Sequence, residues 1–312
     1  MVALSMRKYR APLLFLLPAF ALLAVVSIYP LAFGVYMAFT NISTTKGKWL
    51  SWDFVGLENF ARIARELASP DSNLFRALVN TVVFTVVNVT LQVVTGVAYA
   101  FMLNARSLPL KRLWRTLMIV PWAVPGYISI MAWLFLYQYS YGYVNQLLLN
   151  LGLPRVDWLG QTLDTFWPWV SINLTNTWLA YPFIMTVTLA ALQSVPPELV
   201  DAAKVDGAST WGVFRAVVFP HILPPLTVAT VLTTITTFQQ FGVVWLLTGG
   251  GPAIVVPGIG TLYTTELLMT YGFRTIWQYG DYGYGAAYSL LIAALVVPAS
   301  IYAMKKMRVV GE

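Results

Sequence analysis

Apolar residues fall in six long runs, at roughly 11–39, 77–103, 116–139, 166–192, 222–247 and 283–304, with polar stretches between them. Each run exceeds the ~20 residues a helix needs to cross a hydrocarbon layer of ~30 Å. The pattern predicts an all-α integral membrane protein with six transmembrane helices. The chain then divides into a segment 1–10, a first transmembrane helix 11–40, a loop 41–75, a five-helix core 76–304 and a tail 305–312. The first run follows Arg7, Lys8 and Arg10, as a secretion signal would. It is about twice the length of a signal core and holds Pro12, Pro18 and Pro30, which reads as an uncleaved span. Within 41–75, "GLENFARIAREL" spaces Leu57, Phe60, Ile63 and Leu67 helically, predicting a short amphipathic helix that rests at the interface as a connector. Trp158, Trp167 and Trp169 mark an aromatic belt at the same side.

Composition agrees with this pattern: 58% of residues are hydrophobic and only 10% charged, where a soluble domain carries about 25%. The net charge of +7 is a matter of topology rather than of nucleic acid. With both termini inside, the inner segments hold 12 basic residues, among them Arg7, Lys8, Arg10, Arg106, Lys305, Lys306 and Arg308; the outer ones hold 7. Basic residues in short loops favour the cytoplasmic side, so both termini are expected there. The absence of cysteine excludes disulfides, thiolate zinc sites and a cysteine nucleophile. No run contains Asp, Glu, Lys, Arg or His. That argues against a proton relay, an ion-coupled carrier and an intramembrane hydrolase, all of which need ionisable groups at depth. The single histidine, His221, stands at a span boundary and reads as structural.

Uncharged polar residues form stripes within the runs. Thr227, Thr230, Thr233, Thr237 and Gln240 follow one helical face in the fifth run, as do Asn173, Asn176, Thr177 and Ala180 in the fourth. Thr81, Thr85, Asn88, Gln92 and Thr95 do so in the second. Such groups avoid lipid. They either hold helices together or line a cavity; amides beside the rings of Trp178, Tyr181, Phe183 and Phe238 would suit a sugar, with amides bonding hydroxyls and rings covering its apolar face.

Between the fourth and fifth runs lies "DAAKVDGASTWGVFRAVVFP", residues 201–220. Pro196 and Pro197 suit a helix's first turn, with Ser194 as cap and Glu198 and Asp201 near its positive end. Ala202 and Ala203 give a slim face, Gly207 permits a turn, and helix resumes until Pro220 starts the next span. The segment is either an ordinary interfacial loop or a rigid helix able to enter a partner's groove. No phosphate-binding loop accompanies it: Gly47-Lys48 is followed by Trp49. Energy for any active transport must then come from elsewhere.

The 201–220 segment resembles the EAA loop of ABC-importer permeases: E-A-A, three residues, Gly, nine residues, Ile, one residue, Leu-Pro. Here it reads Asp201-Ala202-Ala203, Gly207, Val217, Phe219-Pro220, with Asp for Glu, Val for Ile and Phe for Leu. "GLENF" at 56–60, "NTVVFT" at 80–85, "LTGGGP" at 247–252 and "YGYGAAYS" at 282–289 extend the resemblance to carbohydrate-importer permeases. "NTWLAYP" and "TFQQF" are similar to the maltose-type members. The resemblance implies a type I ABC importer permease in a bacterial or archaeal inner membrane. It would be paired with a second, homologous permease, an ATPase dimer and an extracytoplasmic solute-binding protein. The chain itself would be non-catalytic and without cofactor, ATP and Mg being bound by the ATPase subunits. The implied ATPase-coupling residues are Glu198, Asp201, Ala202, Ala203, Asp206, Gly207 and Pro220, within a coupling loop 196–220. The implied substrate-binding residues are Asn176, Leu179, Ala180, Phe183, Thr233, Thr237 and Gln240. Maltose or maltodextrin, trehalose or a similar oligosaccharide is the expected solute; glycerol phosphate, or passive facilitation, is the alternative.

Overall fold

The computed structural model describes residues 14–105, 107–257 and 260–310, with side chains described through Ile301 except at Ala299. The 1–10 segment, Arg106 and the side chains of Lys305, Lys306 and Arg308, which bear on orientation, lie outside the described residues. The fold is helical, with one two-stranded sheet among the described residues. Two compact units form: residues 1–65 with 272–295, and residues 66–271 with 296–312.

In the first unit, α1 (Leu14–Met37) is a single apolar rod with one wide π turn at Ala24–Ile28. Nearly all of its side chains are exposed, as expected of a helix that faces lipid or another subunit. The amphipathic helix α2 (Glu58–Leu67) forms as the spacing predicts and buries Ile63. Asn59 donates to the carbonyls of Ala38 and Thr40, at 2.9 and 2.8 Å, tying α2 to the end of α1. Asp281 is buried beneath Lys46 and Arg62, each 2.8 Å away. Burial alone would raise its carboxyl pKa, but the bonds from those two cations hold it below the ordinary value.

In the second unit, α3 (Asn73–Asn104) is capped by Ser72, whose hydroxyl accepts from the N–H of Phe75 at 3.0 Å. It lies against α7 (Trp167–Gln193). The two pair at a constant offset of 88 residues, Asn88 with Asn176 and Gly96 with Ile184, so they run parallel, side by side. A methyl at Gly96 would sit 2.7 Å from Ile184 Cβ and 2.9 Å from the Met185 nitrogen; only glycine lets the backbones approach so closely.

The third apolar run is not one straight span. It breaks into α4 (Lys111–Ala123) and α5 (Gly126–Leu136), bent by 95°. Val124 is extended because Pro125 follows it. A short α6 (Tyr143–Asn150) packs on α5. The fourth run continues past α7, with a 64° bend, into α8 (Pro197–Val205). The fifth also departs from expectation. α9 runs from Thr210 to Phe238 and stops; a separate short α10 (Gly242–Thr248) follows. Pro220 therefore lies inside a continuous helix rather than at the start of a span. A π turn at Phe214–Val218 just before it accommodates the ring and the missing N–H. A hairpin of β1 (Ala253–Val256) and β2 (Gly260–Tyr263) pairs Ala253 with Tyr263. α11 (Leu268–Trp277) and α12 (Tyr282–Val310) complete the chain, α12 carrying a shorter apolar stretch over Tyr282–Pro298.

By length and composition, α1, α3 and α9 each suffice to cross a membrane, and the two bent pairs bring the total to as many as five among the described residues. Two apolar clusters hold the second unit. One gathers Phe84, Ile130, Ile172 and Val244; the other gathers Leu103, Met185, Leu189 and Ile222 near α8.

Candidate functional site

Between those two apolar clusters lies a polar layer at the midpoint of α3. Asn88 is fully buried and is its hub. Its Oδ1 accepts from Asn176 Nδ2 at 2.8 Å, from Gln92 Nε2 at 3.1 Å and, more weakly, from Thr177 Oγ1 at 3.5 Å. Its own amide donates to Asn173 Oδ1. Asn173 in turn donates to the Trp169 carbonyl at 2.7 Å. On the other side, Gln240 Nε2 donates to Asn176 Oδ1 at 2.6 Å. Gln240 Oε1 also accepts from the N–H of Phe241 at 2.9 Å, satisfying backbone at the break between α9 and α10. One chain of neutral amides thus joins three helical elements.

The implied substrate residues are only partly brought together. Asn176 and Gln240 touch directly. Thr233 and Thr237 are buried on the face of α9 that meets α3 and α7. Thr227, Thr230 and Thr234 instead return their hydroxyls to the carbonyl one turn back, at 2.8 Å each. Leu179 packs onto the Phe84 cluster. Phe183 lies two helical turns from Asn176 and faces Trp122, ring centres 6.0 Å apart; Ala180 is half-buried between them. Tyr181 OH donates to the Met118 carbonyl at 3.0 Å. His221 Nδ1 lies 2.8 Å from the Val217 carbonyl, the local backbone bond expected of a structural residue. The second-run stripe is divided: Thr81 accepts from the N–H of Leu268 at 2.9 Å, whereas Asn88 organises the polar layer.

At the end of the second unit where α3 and α7 finish, α8 stands as a short helix. Its N-cap is Pro196, without a side-chain bond; Ser194 donates to Ala191 instead of capping. The C-terminus is closed by a Schellman motif. The N–H of Ala208 reaches the carbonyl of Ala203, and the N–H of Gly207 that of Lys204, each at 3.0 Å. The motif requires a left-handed residue at Gly207, whose φ is +81°. Ser209 then opens α9, its hydroxyl accepting from the N–H of Gly212 at 3.2 Å. Glu198, Asp201, Ala202, Asp206 and Gly207 are exposed and Ala203 is half-buried. Asp201 accepts from Lys204 at 3.3 Å. Pro220 is separated from them by the first turns of α9. Behind α8 a groove of about 690 Å³ is lined by Phe101, Asn104, Leu192, Val200, Lys204 and Phe214.

Apolar helices around a neutral polar layer, with a short capped helix at one end, suit a membrane transport subunit. Residues 92–304 match the family described as binding-protein-dependent transport system inner membrane component. The chain belongs to that family. It is 36% identical over 254 residues to the trehalose/maltose transport system permease protein MalF of Thermococcus litoralis, covering 81% of this chain and 79% of that one. It is 32% identical to the maltodextrin transport system permease protein MdxF of Bacillus subtilis, covering 96% and 70%. A bacterial ABC transporter involved in import of the acidic polysaccharide alginate shares the fold, with a TM-score of 0.75 at 22% identity, over 100% of this chain and 99% of that one.

Proposed function

We propose that this permease moves a neutral oligosaccharide, such as maltose, a maltodextrin or trehalose, into the cytoplasm by alternating access. The observation that carries the reading is the Asn88–Asn176–Gln240 chain: a buried layer that offers donors and acceptors but no charge. A sugar hydroxyl that enters replaces one amide–amide bond by two amide–hydroxyl bonds of similar strength. Binding at such a site is weak and reversible, as a translocation site requires. The names of the relatives, trehalose/maltose and maltodextrin permeases, support the same substrate class.

On this reading both termini are cytoplasmic, six helices cross the inner membrane of a bacterium or archaeon, and α8 faces the cytosol. An ATPase dimer that binds ATP and Mg receives α8, and its closure moves the lever. A second permease and an extracytoplasmic solute-binding protein complete the assembly; the permease itself catalyses no reaction. The neutral layer disfavours glycerol phosphate, which would call for cationic partners. Reconstitution tests the proposal. The assembled importer should accumulate radiolabelled maltose with ATP, and Asn176→Leu with Gln240→Leu should cut that uptake at least tenfold while subunits still co-purify. Undiminished uptake in the double variant would make the layer mere packing.

A further inference from the structure

The direction of every amide in the polar layer is fixed by the backbone groups at its two ends. At one end the Trp169 carbonyl can only accept, so Asn173 gives it a nitrogen and turns its oxygen to the Asn88 nitrogen. At the other end the N–H of Phe241 can only donate, so Gln240 accepts through Oε1 and donates to Asn176. Asn176 in turn donates to Asn88. Asn88 Oδ1 is thus an acceptor from both sides. Gln92 must present Nε2 to it, at 3.1 Å, which turns Gln92 Oε1 away from the hub. That oxygen is buried and accepts no hydrogen bond from the protein. The nitrogens of Gln92 and Asn176 share Asn88 Oδ1 and so lie no more than about 6 Å apart, which sets Gln92 beside the Asn176–Gln240 pair.

The surroundings account for the free oxygen. At the 88-residue offset that pairs α3 with α7, Gln92 stands opposite Ala180, whose methyl group offers no donor. α9 runs antiparallel to α7, since Gln240 meets Asn176 while Ile222 shares an apolar cluster with Leu189. Thr237 and Thr233 therefore lie, like Gln92, on the α8 side of the Asn176–Gln240 bond. Both are buried, and neither returns its hydroxyl to a carbonyl of α9, as Thr227, Thr230, Thr234 and Thr236 do. An amide oxygen and two hydroxyls form a second neutral tier within two helical turns of the first. A ligand hydroxyl that donates to a buried, unpartnered acceptor makes a bond without breaking one, whereas the Asn176 and Gln240 amides must exchange a bond they already have.

We infer that Gln92 is a further specificity-determining residue of the saccharide site, its Oε1 accepting from one sugar hydroxyl. The inference rests on the sugar reading above and adds to it a contact from α3.

The test is equilibrium binding of maltose and of each monodeoxymaltose to the permease–ATPase assembly in lipid nanodiscs, followed by saturation-transfer NMR. Gln92→Met keeps the length of the side chain and loses the acceptor, while Asn88 Oδ1 retains its bond from Asn176. Gln92→Glu, protonated, keeps an O–H for Asn88 and a carbonyl oxygen. The natural assembly should bind several of the analogues more weakly than maltose. In Gln92→Met the disadvantage of one of them, about fivefold, should vanish while the others keep theirs, and Gln92→Glu should keep them all. The contact is overturned, and the sugar reading left intact, if Gln92→Met weakens maltose and every analogue by one factor, if it changes no ratio, or if Gln92→Glu discriminates no better than Gln92→Met. A natural importer that neither binds nor transports maltose, and carries another solute instead, overturns both.

Discussion

Gly207 offers the most direct test of the lever. At φ +81°, a side chain there would meet nothing within 4 Å, so substitution acts through the backbone alone. Placing an L-residue in the left-handed region costs roughly 1–2 kcal/mol, which lowers the population of the capped loop by about 5–30-fold. Asparagine, which tolerates that region, should lose least; alanine should lose several-fold, and valine more. Proline has three faults at once. Its φ is fixed near −65°, its missing N–H removes the bond to Lys204, and it disfavours the near-helical backbone of Asp206, at φ −71° and ψ 1°. With only nine residues, α8 has little intrinsic stability to offset these losses. The assay is ATP-dependent solute uptake by the assembled importer in vesicles, with ATPase co-purification measured in parallel. The expected order is Gly, Asn, Ala, Val, Pro, with the Pro variant inactive. Uptake at the natural rate by Gly207→Pro, or an Asn variant no better than Val, would refute the argument that the left-handed turn positions α8.

Further outcomes follow from the other contacts. Asn88→Leu removes three side-chain hydrogen bonds from the polar layer, besides the weak one from Thr177. At about 0.6–1.7 kcal/mol each inside a membrane, it should destabilise the bundle by about 2–5 kcal/mol in denaturant titrations in bicelles; a change under about 0.5 kcal/mol would show that the layer is already hydrated. Gly96→Ala forces α3 and α7 apart and should cost about 1–3 kcal/mol by the same titration, whereas Gly34→Ala, in open space, should be neutral. Asp281→Asn should lower the thermal midpoint at pH 7. Because the folded carboxyl pKa lies below its ordinary value of 3.8, the stabilisation is present above that value and is lost as pH falls through the folded pKa. The gap between variant and natural protein should therefore close below about pH 4, and a gap that is constant with pH would discount the ion pairs.

The long helices were legible because hydropathy over ~20 residues reports burial in lipid directly: α3 and α7 lie where the second and fourth runs predict. Hydropathy does not register direction, so the 95° bend at Val124–Pro125 left no mark in the hydropathy of a run that stays apolar through Pro121 and Pro125; Pro125 itself was the signal. The end of α9 was hidden likewise. "TFQQFG" reads as a polar interruption of one span, yet Gln240 turns its amide onto the backbone beyond it and closes the helix. The β1–β2 hairpin had a signal that went unused, β-branched residues on both sides of Pro257-Gly258. The short helix α8 and its turn were legible because Gly207 and its spacing report a backbone requirement, whereas Ser194 offered a cap that Pro196 displaced. Asn88 stood in a recognised stripe; that it is the hub depends on which helix lies beside it, and no single stripe contains that.

Because a π turn holds one residue more than the spiral on either side of it, residues 214–218 are the place in α9 where a codon can be lost without rotating the rod downstream, at the expense of the room the turn gives Pro220. A deletion elsewhere between Thr210 and Phe238 turns the rest of the rod by about 100°, swinging Thr233 and Thr237 away from α3 and α7. Length variation among related permeases is expected to collect at Phe214–Val218, as single-residue gaps in alignments that are otherwise continuous through this helix.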